Sequence, residues 1–153
     1  MPPDQASGGL APSALAVTHW SFRSGDGEDV SATGRAPAGQ SLTLSMTLDG
    51  DQAALDRMRA RGSIAIEVRW QHQSGSAAPG APDLVTRLAI GHPGLADRLA
   101  GEVRRTGFFE WHSWAEKTTL SPGVWSVSLT YPDGTPLACG SPPAPCRFRI
   151  AVG

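Results

Sequence analysis

The residues of this chain whose types could support binding or catalysis are concentrated in its final third. Trp111, His112, Trp114 and Lys117 lie close together, and Lys117 is the only lysine of the sequence. Exposed tryptophan rings stack on flat ligands or anchor protein partners, while imidazole and ammonium groups supply hydrogen bonds. These four residues are therefore the candidate ligand-binding residues.

The same region offers little for catalysis. Nucleophilic catalysis needs a Ser, Cys or Lys beside a base and an oxyanion hole, and the sequence has no Gly-x-Ser-x-Gly elbow. Glu110 and Glu116 fall on one face of a single strand, where the strand rise places them about 20 Å apart. That spacing is too wide for an acid/base pair. We predict no catalytic residue and expect that the protein is not an enzyme.

Metal ligands are sparse as well. The four histidines, at positions 19, 72, 92 and 112, are never spaced i, i+2 or i, i+4. Histidines from separate strands could still converge in space, so metal transport or storage stays open as a third hypothesis, with metal retention after dialysis as its test. We predict no metal and no cofactor. His72 lies on the apolar face of its strand, which favours a hydrogen-bonded histidine in the core or at its rim.

Cys139 and Cys146 enclose a proline-rich loop without another residue of ligand type. Because zinc usually takes four ligands, the pair favours a disulfide over a metal site, with free thiols as the alternative. A disulfide would stabilise the fold by about 2–3 kcal/mol on the loop-entropy model. It would also indicate an oxidising compartment, and so an extracytoplasmic location.

Charge and hydropathy limit the partners. The chain of 153 residues has a formal net charge of −1, which argues against nucleic acid or an anionic membrane as the main partner, since both require clustered positive charge. Its many arginines are attributed to codon usage. No run approaches the roughly 20 apolar residues that span a bilayer, so we expect no direct membrane insertion.

The period of the apolar residues changes along the chain. Asp51–Arg61 has helical spacing, with Asp51 as its N-cap and Gly62 at its end. Pro93–Ala100 is interpreted as a helical turn or loop, and 73–82 as a low-complexity loop. Alternation with a period of two predicts strands at Leu15–Phe22, Ser41–Leu48, Ser63–His72, Leu84–Ile90, Glu102–Lys117 (bent near Gly107), 125–131 and 148–152.

About seven strands separated by turns, with one short helix, predict an all-β fold. Parallel βαβ units would need helices that are missing, so we expect an antiparallel β-sandwich of immunoglobulin-like type. Residues 1–14 are predicted to be a flexible lead-in, and 15–153 a single domain.

The C-terminal part has a series of aromatic, glycine and turn positions. They are Trp114 and Lys117, then Gly123, Trp125 and Val127, then Asp133–Gly134, and finally Phe148–Ile150. With these residues the chain resembles the bacterial domain-of-unknown-function family 2914. The resemblance covers about residues 64–152 and implies an extracytoplasmic β-sandwich without an assigned catalytic residue. Ala115 departs from the family pattern, where a small hydroxyl residue is expected, and the loop between the cysteines looks like an insertion.

Strand parity sets the functional hypotheses. Phe109 and Trp111 point to one face, while Phe108, His112 and Trp114 point to the other. Both sets could be buried, one by the partner sheet and the other by a loop or the helix. If Trp114 is exposed instead, we expect a non-catalytic interaction module of a bacterial extracytoplasmic or envelope protein that docks a protein partner. The alternative is a carbohydrate-binding module with an exposed strip formed by Trp111, Trp114 and Trp125.

Lys117 has a simpler structural explanation. Its stem would lie over Trp114 or Trp125, while the ammonium group stays solvated or pairs with Glu110 or Glu116. An unpaired edge strand would also permit a homodimer.

Overall fold

The computed structural model describes residues 15–72 and 84–153. The predicted lead-in and the predicted loop 73–82 lie outside these residues. The strands are β1 (Leu15–Ser24), β2 (Arg35–Ala36), β3 (Leu42–Gly50), β4 (Ile64–His72), β5 (Leu84–Ile90), β6 (Phe109–Lys117), β7 (Gly123–Thr130), β8 (Ala138–Cys139), β9 (Ala144–Pro145) and β10 (Arg147–Val152). The helices are α1 (Gln52–Arg61) and α2 (Ala96–Thr106), the latter preceded by a 3-10 turn at Pro93–Leu95.

The strands form two five-stranded sheets. Sheet A has the order β6-β3-β1-β8-β9, and sheet B has the order β2-β10-β7-β4-β5. Most neighbours are antiparallel, but β1 pairs in parallel with β8, and β2 with β10. The β-rich fold is confirmed. The expectation of purely antiparallel pairing is wrong, and such mixed sheets are not typical of the immunoglobulin fold. Long connections along the chain make both parallel pairs sterically accessible.

The helix predicted over Asp51–Arg61 is present as α1. The Asp51 side chain accepts a hydrogen bond from the Ala54 amide at 3.0 Å, which satisfies a free N–H group of the first turn. Gly62, at φ 90°, donates its amide to Met58 O at 2.8 Å and ends the helix.

The second helix corrects the prediction of a single helix and of a long strand from Glu102. Its buried residues Ala96, Leu99, Ala100 and Val103 recur every three or four positions, which is the helical period. Gly107 has φ 92° and donates its amide to Val103 O at 2.8 Å. It therefore ends a helix, where the sequence predicted a bend in a strand.

One continuous hydrophobic core lies between the inward faces of the two sheets. Leu44 and Leu48 of sheet A and Val68, Trp70 and Trp125 of sheet B are all almost inaccessible to solvent. The Trp70 indole Nε1 donates to Thr86 Oγ1 at 3.2 Å, so the polar atom of this buried ring is satisfied. The alternation predicted for β3, β4, β7 and β10 is confirmed.

The predicted disulfide is also present. Cys139 and Cys146 are joined with an S–S distance of 2.02 Å and a Cα–Cα distance of 5.1 Å. The bond closes the short β8–β9 hairpin, which extends sheet A beyond β1.

Candidate functional site

Strand β6 carries the predicted ligand-binding residues and forms one edge of sheet A. Phe109 and Ala115 are buried, and Trp111 packs partly buried against the core. His112 and Trp114 point to the other side, and Trp114 is 64% exposed. The predicted parity of this strand is therefore confirmed, with Trp114 directed into solvent.

The neighbouring strands place short polar side chains beside Trp114. In the paired register, Ser45 of β3 lies opposite Trp114, and Ser21 of β1 lies opposite Ser45. The next row joins His112 to Thr47 and His19 in the same way. We call the surface formed by these side chains the Trp114 face, and it contains a shallow pocket lined by His19, Ser21, Ser45, Thr47, His112 and Trp114 together with Trp20, Met46 and Ser113.

Hydrogen bonds hold the imidazole beside this pocket. His112 Nδ1 and Thr47 Oγ1 share a hydrogen bond at 3.2 Å, and His112 Nε2 lies 3.4 Å from Glu110 Oε1. The two contacts engage both nitrogens of the ring and fix its orientation. His19 is anchored separately, because its Nδ1 shares a hydrogen bond of 3.2 Å with Thr18 Oγ1. The face thus presents ordered polar groups around one exposed aromatic ring.

Carboxylates outnumber guanidinium groups on the outer face of sheet A. Partial burial raises the pKa of Asp49, the nearby Glu110 carboxylate raises it further, and His19 acts in the opposite direction. Glu110 and Glu116 lie on β6, and Arg23 on β1 is the counter-charge. The surroundings of Trp114 are therefore acidic as well as polar.

Lys117 contacts the core and does not line the Trp114 face. Its Nζ lies 5.2 Å from the ring centroid of Trp125 and donates to Thr119 O at 2.9 Å. Of the two rings predicted to lie under Lys117, Trp125 is the one that it contacts. The ammonium group was expected to stay solvated or to pair with Glu110 or Glu116, and it instead bonds a backbone carbonyl. Because Lys117 lies over a core ring, it contributes to packing between the sheets and is separate from the Trp114 face.

The three tryptophans of the carbohydrate hypothesis do not form one strip. Trp111 points to the opposite side of β6 from Trp114, and Trp125 is only 2% exposed in sheet B. Of the four predicted ligand-binding residues, the fold therefore brings only His112 and Trp114 together on the exposed face.

His72 occupies a rim position. Its Nε2 donates to Pro122 O at 3.0 Å, and the ring meets Trp125 edge-on with the centroids 5.1 Å apart. The predicted hydrogen-bonded histidine is confirmed. Within residues 15–72 and 84–153, no group of three or more His, Cys, Asp or Glu side chains is arranged to hold a metal ion.

Sequence reasoning missed the contribution of β1 and β3 to the site. The alternation over Ser41–Leu48 predicted a strand there, but nothing in the pattern indicated that β3 pairs with β6. His19, Ser21, Ser45 and Thr47 therefore had no visible connection to Trp114, although they are separated from it by one or two strand spacings.

A second cavity lies between α1 and the turn after β7. The Arg57 guanidinium lies 5.3 Å from the ring centroid of Tyr131, and the Tyr131 hydroxyl accepts a hydrogen bond from the Leu15 amide at 3.3 Å. Burial raises the pKa of Tyr131. These contacts tie the helix to the two sheets and identify Tyr131 as a structural residue.

Across the described ranges, neither helix has the length and apolar content that crossing a bilayer requires. No protein-family model matches the chain. No curated protein matches it either. The resemblance to family 2914 therefore stays a prediction.

Two solved structures show distant similarity. One is the Pseudomonas fluorescens alkylpurine DNA glycosylase AlkC bound to DNA containing an abasic site analog, with TM-score 0.45, 11% identity and 92% of this chain covered. This chain spans only 30% of the length of that glycosylase chain. The other is the soluble domain of PmoD from Methylocystis sp. ATCC 49242 (Rockwell), with TM-score 0.36, 15% identity and 94% of each chain covered. Both likenesses are too distant to carry a functional argument.

Proposed function

We propose that this chain is a non-catalytic binding module of a bacterial extracytoplasmic or envelope protein, and that it docks a protein partner through the Trp114 face. The observation that carries the proposal is the exposure of Trp114, which is 64% accessible while Trp70 and Trp125 are in the core. Removal of the apolar surface of such a ring from water is favourable, so its contact with a partner would stabilise a complex.

The surroundings of Trp114 suit a protein interface. Binding hot spots are enriched in tryptophan and are surrounded by polar side chains that exclude water once the complex forms. Here Ser21, Ser45, Thr47 and His112 provide such a rim on strands β1, β3 and β6. Because regular strands hold these groups, a partner would meet a face that is already ordered.

A carbohydrate ligand is the second candidate. The shallow pocket beside Trp114 places serine and threonine hydroxyls and the His112 ring next to an exposed indole, and these are groups that stack on and hydrogen-bond a sugar ring. The sequence predicted a strip of three tryptophans, but only the Trp114 ring is available on this face. This candidate therefore predicts weak binding of one sugar unit and no recognition of a long glycan surface.

The disulfide supports the proposed compartment. Cys139–Cys146 persists most readily under oxidising conditions such as those of the periplasm. The immunoglobulin-like sandwich and membership of family 2914 are part of the same proposal, supported by two β-sheets that share one core.

Site-specific photo-crosslinking tests the proposal. A photoreactive amino acid replaces Trp114 in one variant and Phe108 in the control. Phe108 is also an exposed aromatic residue, at 52%, but it precedes β6. We expect a discrete protein adduct from position 114 in host cells and none from position 108.

A glycan array probed with the wild type and Trp114→Ala separates the two candidates. Glycan binding that disappears in the variant would favour the carbohydrate candidate. Equal adducts from both crosslinker positions, without glycan binding, would contradict both candidates.

A further inference from the structure

The outer face of sheet B collects arginines from four strands. Outward-facing positions follow from the register, because Ala36, Ile150, Val152, Trp70 and Trp125 point into the core. The ionisable residues in the alternate positions are Arg35, Glu67, Arg69, Arg87, Arg147 and Arg149. We call this surface the arginine face. It is strongly basic, although the protein as a whole carries a net charge of −1.

Only part of this charge is neutralised locally. Glu67 is buried and lies 3.4 Å from Arg87 Nε and 3.8 Å from Arg69 Nε. Among the ion pairs of residues 15–72 and 84–153, none involves Arg35, Arg147 or Arg149, and all three are exposed. These guanidinium groups are therefore available to an anionic partner.

We propose that the arginine face binds an anionic lipid surface peripherally. Guanidinium groups form forked hydrogen bonds with phosphate, and a flat array of them attracts a negatively charged bilayer. At the edge strand β5, Val85 lies opposite Arg69 and is 37% exposed, which provides apolar contact at the rim of the face. This binding needs no spanning segment.

Nucleic acid fits the arginine face less well. Single-stranded nucleic acid is held by aromatic side chains that stack on bases. The outward-facing positions of β2, β4, β5, β7 and β10 include no aromatic residue. A five-stranded sheet face is also wider than the α-helix or two-stranded ribbon that the major groove of duplex DNA admits.

Vesicle co-sedimentation with the full chain tests the proposal. We expect binding to vesicles of phosphatidylcholine mixed with phosphatidylglycerol, weakening as salt is raised, and no binding to phosphatidylcholine alone. The double variant Arg147→Gln/Arg149→Gln should bind roughly 25-fold more weakly, at about fivefold for each arginine. These exposed residues flank Phe148 on β10, and glutamine keeps a long polar side chain there.

Arg98→Gln/Arg104→Gln is the matched control. It removes the same charge from exposed positions of α2, which packs on α1 and β6 and lies off the arginine face. We expect it to bind vesicles like the wild type. Three results would overturn the proposal: no vesicle binding by the wild type at low salt, an equal loss in the control, or tighter binding to duplex DNA or single-stranded RNA than to the anionic vesicles.

Discussion

The outer faces of the two sheets share one design and differ in charge. Each is the water-facing side of a five-stranded sheet whose other side lies on the core. The outer face of sheet A carries Asp49, Glu110 and Glu116 against Arg23, whereas that of sheet B carries five arginines against Glu67. The near-neutral net charge of the chain therefore conceals two surfaces of opposite sign.

The aromatic residues differ between the faces as well. Sheet A exposes Trp114, while the tryptophans of sheet B, Trp70 and Trp125, are buried. One face thus combines an aromatic anchor with acidic and polar groups, and the other relies on guanidinium groups alone. The two proposals follow this difference, with an aromatic anchor proposed for sheet A and electrostatic binding proposed for sheet B.

Replacing tryptophans on the two sheets gives the largest expected contrast. Trp70→Ala removes a fully buried ring and should lower the free energy of unfolding by about 3–5 kcal/mol. Trp114→Ala removes an exposed ring and should change it by less than about 0.5 kcal/mol. Urea denaturation measures both values. A comparable loss of unfolding free energy in the two variants would show that Trp114 is packed in the native protein. The proposed contrast between an exposed tryptophan on sheet A and buried ones on sheet B would then be wrong.

Neutralising the single acid of the arginine face gives a smaller effect. Glu67→Gln should strengthen binding to anionic vesicles about fivefold, since it frees Arg69 and Arg87 from their shared partner. Loss of these ion pairs should cost about 1 kcal/mol of stability, because both arginines are largely solvated. Glu102→Gln on α2 makes the same change in charge elsewhere. If both variants strengthen vesicle binding equally, net charge and not the arginine face controls it.

The smallest expected effect is the pH dependence of the stability contribution of Asp49 on sheet A. Burial and Glu110 raise the pKa of Asp49 in the folded protein, so the native state binds a proton more readily than the unfolded chain. Ionised Asp49 thus costs stability at neutral pH, and this cost disappears as the pH falls through its raised pKa. Asp49→Asn should be slightly more stable than the wild type at neutral pH, and the gain should vanish in acid.

Asp133 provides a control of opposite sign. It accepts a hydrogen bond from the Thr135 amide at 2.9 Å, which lowers its pKa. Its contribution to stability is therefore present near neutrality and is lost as the pH falls through that lowered pKa. Thermal unfolding of Asp49→Asn and Asp133→Asn across the acid range compares the two. A gain in thermal stability of Asp49→Asn that persists unchanged in acid would contradict the raised pKa of Asp49.

The local pattern of apolar and polar residues was enough to predict much of the fold. The period-two alternation in β3, β4, β7 and β10 correctly separated core from surface, and Asp51 with Gly62 marked the ends of α1. It failed at α2, although Ala96, Leu99, Ala100 and Val103 recur at helical spacing, because the segment was divided between a turn at Pro93–Ala100 and a strand from Glu102. Gly107 then resembled a bend in a strand, although its positive φ ends a helix.

The Trp114 face and the arginine face are formed by strand pairings that the sequence does not reveal. Strand parity predicted that Trp114 and His112 share a side, but not that Ser21 and Ser45 lie beside them. The arginine face is harder still to predict, because Arg35 and Arg149 are far apart in sequence and only the β2–β10 pairing places them on neighbouring strands. A net charge summed over the chain cannot report such clustering.

Acrylamide quenching of tryptophan fluorescence tests the central claim, that sheet A offers a solvent-exposed Trp114 as its binding anchor. The experiment compares the wild type with Trp114→Phe, and Trp125→Phe serves as the buried control. We predict that Trp114→Phe removes the largest share of the quencher-accessible emission, with Trp20 supplying a smaller share, and that Trp125→Phe leaves it unchanged, in keeping with exposures of 64%, 37% and 2%. Accessible emission that is unaltered in Trp114→Phe would contradict the account.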